Sequence, residues 1–162
     1  MGRMIESDES PAYSHTQTAP LCLFLDVAAA GCLALAWAIG EMPGVIIAGT
    51  TGVALALIAP AFHHLKVEDR GEELAIRFGP VPLCRKTVLY ADIEEVEVGR
   101  TLILDGWGIH LSIRGGWVWN IWGRDCVVVR MRRGSVLRIG TDDAENLALF
   151  LKAKINGQPS PP

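Results

Sequence analysis

Four of the five tryptophans in this chain, Trp107, Trp117, Trp119 and Trp122, fall within sixteen residues. They are interleaved with Gly106, Gly108, Gly115, Gly116 and Gly123 and accompanied by Arg114 and Arg124. Rings and cations in this mixture suit two kinds of binding. Indoles settle at membrane–water boundaries and guanidinium groups pair with anionic headgroups, while aromatics also anchor protein interfaces. On a strand, Trp117 and Trp119 face one way and Val118, Asn120 and Trp122 the other, so both faces cannot be ordinary solvated surface. Trp107, Arg114, Trp117, Trp119, Trp122 and Arg124 are therefore the candidate interaction surface. The competing assignment is core packing, with the glycines clearing space for bulky rings.

A second candidate is Asp26, the one charge in the apolar run Leu21–Gly40. A carboxylate inside a membrane marks a proton or ion path when it has partners. Asp26 has no second acid, Lys or Arg in its own run or in the apolar run that follows, Val45–Phe62. It is a candidate intramembrane polar site, weighed against an acid that reaches the headgroups or caps a polar helix contact.

Catalysis has little support. The chain lacks a G-x-S-x-G elbow, an H-E-x-x-H helix, a phosphate loop and a dinucleotide fingerprint. Asp105, His110 and Ser112 are triad residue types, but His110 and Ser112 merely share a strand face. Arg130, Arg132 and Arg138 align on outer strand faces, where charges are normally solvated. Cys22, Cys32, Cys84 and Cys126 form no C-x-x-C pair or zinc spacing. His63 and His64 are adjacent, and on a helix such neighbours point about 100° apart. No catalytic, cofactor or metal residues are assigned, and a non-enzymatic role is expected. Net charge is −3, and cations and anions nearly balance after residue 62, which argues against nucleic acid as a partner.

The elements that would position these residues divide the chain. The runs Leu21–Gly40 and Val45–Phe62 are split by Gly40-Glu41-Met42-Pro43-Gly44. At about 1.5 Å per residue each reaches roughly the 30 Å of a bilayer core, so two transmembrane helices are expected. A cleaved signal peptide is the alternative for the first run, with Ala36-Trp37-Ala38 as a small-residue cleavage site. The acidic tail before it and the second run after it favour an uncut hairpin. Lys66, Arg70, Arg77, Arg85 and Lys86 follow the second run, against Glu41 alone in the turn, so both termini belong in the cytoplasm. Trp37 fits an interfacial belt. Small residues such as Ala29, Ala48, Gly49 and Gly52 allow close helix packing.

From Leu65 the pattern alternates. Leu74, Ile76 and Phe78 alternate with more polar neighbours, and Ile109, Leu111 and Ile113 repeat the pattern, as do Val127, Val129 and Met131. Short strands at this spacing read as an antiparallel sandwich or barrel. Ala144, Leu147, Ala148, Leu151 and Ile155 then form a helical stripe, with Thr141 or Asp142 as N-cap, Asp142 and Glu145 at capping-box spacing, and Asn156-Gly157 as the stop.

This order resembles the bacterial pleckstrin-homology-like (PH-like) domain of small membrane proteins that carry it behind two transmembrane helices. The resemblance rests on Leu74–Pro80 before Arg85-Lys86, on Ile93–Val98, on Gly106-Trp107-Gly108-Ile109, on Gly115-Gly116-Trp117 with Asn120, and on Arg138–Asp143. It implies a seven-stranded sandwich or barrel capped by a C-terminal helix. It carries no ligand or site residues across, and the basic hairpin by which eukaryotic relatives bind phosphoinositides has only Arg77, Arg85 and Lys86 as counterparts here.

The resulting expectation is an α+β membrane protein. It has a disordered tail 1–19, a transmembrane hairpin 20–63, a PH-like domain 64–156 capped by an amphipathic helix, and a disordered tail 157–162. Its expected place is the cytoplasmic membrane. The expected partners are the bilayer and other membrane proteins or a second copy, with scaffolding, assembly or headgroup contact as the role. The alternative is an accessory subunit of a transporter or membrane enzyme that uses Asp26.

Overall fold

A computed structural model describes residues 13–79, 84–102 and 105–157. Within them the chain forms β1 (Ser14–Thr18), α1 (Leu21–Ala38) and α2 (Met42–Ile58). A 3-10 turn, Ala59–Phe62, extends α2. There follow β2 (His64–Asp69), β3 (Glu73–Phe78), β4 (Cys84–Leu89), β5 (Ile93–Arg100), β6 (Gly108–Leu111), β7 (Trp117–Asn120), β8 (Asp125–Met131), β9 (Val136–Gly140) and α3 (Ala144–Asn156). The expected breaker Gly79-Pro80-Val81-Pro82 lies largely outside the described residues, as do Ile103 and Leu104.

The expected fold class needs correcting at the helices: there is no N-terminal transmembrane hairpin. Among the described residues one helix, Met42–Phe62, is long and apolar enough to cross a membrane, and its partner reaches only Cys22–Ala38. The physical reason is length. Gly40 and Glu41 lie outside both helices and the strand before α1 ends at Thr18, so the 18 residues of α1 reach about 27 Å, about 3 Å less than a bilayer core. The pair is also not at the N-terminus of the fold. Ser14–Thr18, assigned to the tail 1–19, pairs antiparallel with β2.

The two helices nevertheless pack along each other. Gly52 is the closest approach: a Cβ there would lie 2.8 Å from Leu33 Cγ and 3.1 Å from the Ala29 carbonyl. Ala29 and Ala48 are buried at the same seam, as small residues allow. Little else in either helix is covered. Phe24 is 68% exposed and Trp37 93%.

The strands form two sheets, β1-β2-β3-β4 and β5-β8-β9-β7-β6. The first is antiparallel throughout. The second is not, because β7 and β9 run parallel, and the described strands outnumber the seven that the resemblance implied. Leu65, Val67, Leu74, Ile76 and Phe78 from one sheet meet Val96, Val127, Val129, Leu137 and Ile139 from the other. Leu147 and Leu151 of α3 close this core, so the C-terminal stripe is largely buried. The cap differs from expectation. Asp143 is the N-cap residue and makes no side-chain cap to the backbone, because its carboxylate accepts from the Tyr13 hydroxyl at 3.0 Å and the Asn146 amide at 2.6 Å, while Asp142 pairs with His15 at 2.6 Å. The Tyr13 and His15 bonds tie β1 to the start of α3.

On β6 the expected inward set fails beyond Ile109. Leu111 and Ile113 are exposed, because β6 is the edge strand and the chain turns at Ser112, whose amide bonds the Gly116 carbonyl.

The helix pair joins the sheets through a small contact. Phe62 meets Phe78 edge-on at 6.2 Å, and Gly79, at φ +69°, sits against the turn: a Cβ there would lie 2.6 Å from the Pro60 carbonyl oxygen and 2.8 Å from Ala61 Cα. Both neighbours are backbone and cannot step aside. Gly79→Ala should therefore lower stability by more than about 3 kcal/mol, since strain of about 1–3 adds to the overlap. Gly71→Ala, at φ +83° with open space around it, should cost only about 1–2 kcal/mol. Thermal melts of the two variants in detergent check the difference.

Buried Asp69, at the end of β2, links the turn after β4 to α3. It accepts from the Tyr90 hydroxyl at 2.7 Å and the Gly71 amide at 3.0 Å, and pairs with Lys154 at 3.1 Å. Burial alone would raise its pKa, but the Tyr90, Lys154 and Gly71 bonds outweigh it and hold the carboxyl below its usual range. The folded pKa being depressed, this contribution is present above the unfolded value of about 3.9 and is lost as pH falls through the folded one. Melts between neutral pH and about pH 2 should show wild type losing stability in acid more steeply than Asp69→Asn.

Candidate functional site

Trp107 and Trp122 come from two loops that flank β7 and β6, and Asn120 holds those loops together. This fully buried amide donates to the Gly123 carbonyl at 3.0 Å and the Gly106 carbonyl at 3.5 Å. Its oxygen accepts the Trp122 amide at 3.2 Å. Gly140 makes room for it, since any Cβ there would overlap the Asn120 side chain. Held this way, the two indoles stack with centroids 4.5 Å apart and planes at 22°. With Leu102, Gly106, Gly123 and Arg124 they line a cavity of about 400 Å³, within the range of ligand pockets. Its wall is mostly apolar, and Arg124 supplies the charge.

The remaining candidates go elsewhere. Trp119 is only 7% exposed and packs 5.8 Å from Phe78 in the core, so core packing is its role. Trp117, half-exposed, faces a separate groove of about 480 Å³ with Cys84, Arg85, Lys86 and Ile109, which Trp119 also lines. Arg114 is exposed in the β6–β7 turn, where its amide bonds Ser112 Oγ. The six residues thus form no single surface. Trp107, Trp122 and Arg124 form one site, Trp117 borders another, and Arg114 stands apart from both.

The cavity sits near the foot of the helix pair. Gly108, next to Trp107, would place a Cβ 3.8 Å from the Phe62 ring, and Gln17 Nε2 donates to the Trp122 carbonyl at 3.2 Å. Gln17 precedes α1 and Phe62 ends the helix pair, so both indoles are anchored where the apolar arm meets the β unit.

Asp26 also lies at this foot. Its Oδ2 is 3.6 Å from His63 Nε2, and Cys22, one turn earlier on α1, brings its Sγ within 4.8 Å of both. The Cys22–Asp26 spacing of i, i+4 was legible in the sequence, but the approach of His63 from the end of the second helix was not.

The other constellations are engaged mainly by their own neighbours, although buried His110 Nε2 has no partner among the described residues. Asp105 accepts the Leu102 amide at 3.0 Å; burial pushes its pKa up, but that amide, the Ser112 hydroxyl and nearby His110 hold it below the carboxylate range. Asp105, His110 and Ser112 are thus neighbours, yet Ser112 is buried and its oxygen accepts from Arg114, so no nucleophile is presented. Arg130 pairs with Glu95 and Glu97, Arg132 donates to the Ala91 carbonyl and Arg138 to that of Gly115; they do not converge on an anion. Burial pushes the Cys126 thiol up to about 11, which leaves it unreactive.

No protein-family model and no curated protein matches this chain.

Truncating the two kinds of tryptophan should separate surface from core. Trp119→Ala should cost about 3–5 kcal/mol, whereas Trp107→Ala, truncating a half-exposed ring, should cost under about 1.5 kcal/mol. Denaturant melts of the two variants side by side check this.

Proposed function

We propose that this protein is a membrane-anchored, non-enzymatic interaction module. The helix arm enters lipid from the cytoplasmic side. The β unit stays at the surface, where the Trp107–Trp122 cavity meets lipid headgroups and the membrane proteins assembled there. The observation that carries this reading is the exposure of large apolar side chains on every side of the arm, among them Phe24, Val27, Trp37, Ile47 and Leu57. A helix that is apolar all round needs an apolar surrounding, and patches of this extent mark membrane or protein contact.

Three features support the orientation and the site. Glu41 lies at the tip of the arm, whereas Lys66, Arg70, Arg77, Arg85 and Lys86 follow its foot, where cations meet anionic headgroups. The stacked indoles and Arg124 stand at that foot, the depth at which indoles and cations favour headgroups. The β unit also ends in a helix packed on strands, as a PH-like domain would, and that likeness belongs to this reading. The alternative, an accessory subunit acting through Asp26, is less well supported: Asp26 lies against His63 at the foot of the arm and is half-exposed.

Reconstitution into vesicles containing lipids brominated along their acyl chains tests the proposal. The protein should float with the vesicles and resist extraction by alkaline carbonate. Quenching by bromines placed near the headgroup should fall in the Trp107→Phe, Trp122→Phe double variant, since these two indoles stand at the foot of the arm. Full-length protein that stays monomeric in the aqueous phase without detergent, and does not float, would overturn it.

A further inference from the structure

The geometry points to a zinc site at the foot of the helix arm, formed by Cys22 Sγ, Asp26 Oδ2 and His63 Nε2. Cys22 and Asp26 stand one turn apart on the same face of α1, and the 3-10 turn after α2 delivers His63 opposite them. Together they are a group of thiol, carboxylate and imidazole whose ligand atoms all lie within 4.8 Å of one another.

The distances favour a shared cation over direct pairing. Asp26 Oδ2 and His63 Nε2 stand 3.6 Å apart, too far for a hydrogen bond. Around zinc, with N and O ligands at about 2.0–2.1 Å and tetrahedral angles, adjacent ligand atoms are separated by roughly 3.3–3.4 Å, and by about 0.2 Å more where one is sulfur. The Asp26–His63 separation is thus within about 0.3 Å of that of a zinc-bound pair, and Cys22 Sγ lies within 4.8 Å of both. Cys22 is free to join: it is half-buried, in no disulfide, and its thiol is otherwise engaged only with the Ala19 carbonyl at 3.2 Å.

The donor set selects the metal. One thiolate, one imidazole and one carboxylate suit borderline-soft Zn²⁺, whereas Mg²⁺ and Ca²⁺ require oxygen shells. Binding converts the Cys22 thiol to thiolate and releases its proton to solvent, while His63 binds as the neutral ring. Asp26 and His63 are half-exposed, so the fourth position is open to water. The ion clasps the first turn of α1 to the end of α2 and fixes the arm at its foot. This inference does not depend on whether the arm enters lipid.

The test uses the full chain in detergent micelles with a non-thiol reductant and Co²⁺ as the probe. One equivalent should give a tetrahedral cobalt spectrum with sulfur-to-cobalt charge transfer, bleached by stoichiometric Zn²⁺. Cys22→Ser and His63→Ala should each lose it at unchanged helix content, and Cys32→Ser and Cys84→Ser should keep it. Absence of the band from wild type, or its persistence in Cys22→Ser, would overturn the site. If either variant fails to fold, alkylation of wild type decides: Zn²⁺ should slow modification of Cys22 and not of Cys32, and equal rates with and without Zn²⁺ would refute the assignment.

Discussion

Two helices packed on each other can bury only the seam between them. Here that seam is narrow, being built from Ala29, Ala48 and Gly52 with Leu33 laid across it. Small residues let the backbones come close, which strengthens packing but hides little side-chain area. The large apolar side chains consequently point away from the pair. The β unit cannot cover them either, because it meets the helices only at their foot. The apolar surface of the arm is therefore a constraint that the other described residues do not relieve.

What the β unit contributes is a rigid seat for that arm. Gly79 accepts the backbone of Pro60 and Ala61 where no side chain fits, Phe62 lies edge-on against Phe78, and Ala59 is fully buried. The strand before α1 is paired to β2 and tied to α3 through Tyr13 and His15. Both ends of the arm are thereby anchored in one body. Two groups with chemical character lie near this seat: the stacked indoles with Arg124, and the cluster of Cys22, Asp26 and His63.

Much of the β unit was legible residue by residue. Alternation at Leu74, Ile76 and Phe78 and at Val127 and Val129 marked strands whose inward side chains are buried, and the stripe from Ala144 to Leu151 marked the covering helix. The readings that failed did so where a long-range partner decides the outcome. Ser14–Thr18 carries no alternation that a core would demand, and it becomes a strand because β2 offers an open edge. Leu111 and Ile113 alternate correctly, but an edge strand that ends in a tight turn has no second layer to receive them. Asp142 has the right spacing for a helix cap, and His15, 127 residues away, claims it. Hydropathy alone predicts a spanning helix over Leu21–Gly40, but it measures composition without saying where a helix ends, and α1 stops at Ala38.

The same division runs through the candidate site. Residue types were plain from the sequence: a cluster of tryptophans beside arginines, and an acid in an apolar run. Their grouping was not, because neighbours on a strand point to opposite faces and loops decide which rings meet. Only the folded chain stacks Trp107 on Trp122, through the buried amide of Asn120, and sends Trp119 into the core beside Phe78. Only the antiparallel return of the second helix carries His63 back to Asp26, 37 positions away in the chain. Local periodicity fixes which side chains are apolar and how each segment curls; which distant groups share a volume depends on packing that no single segment contains.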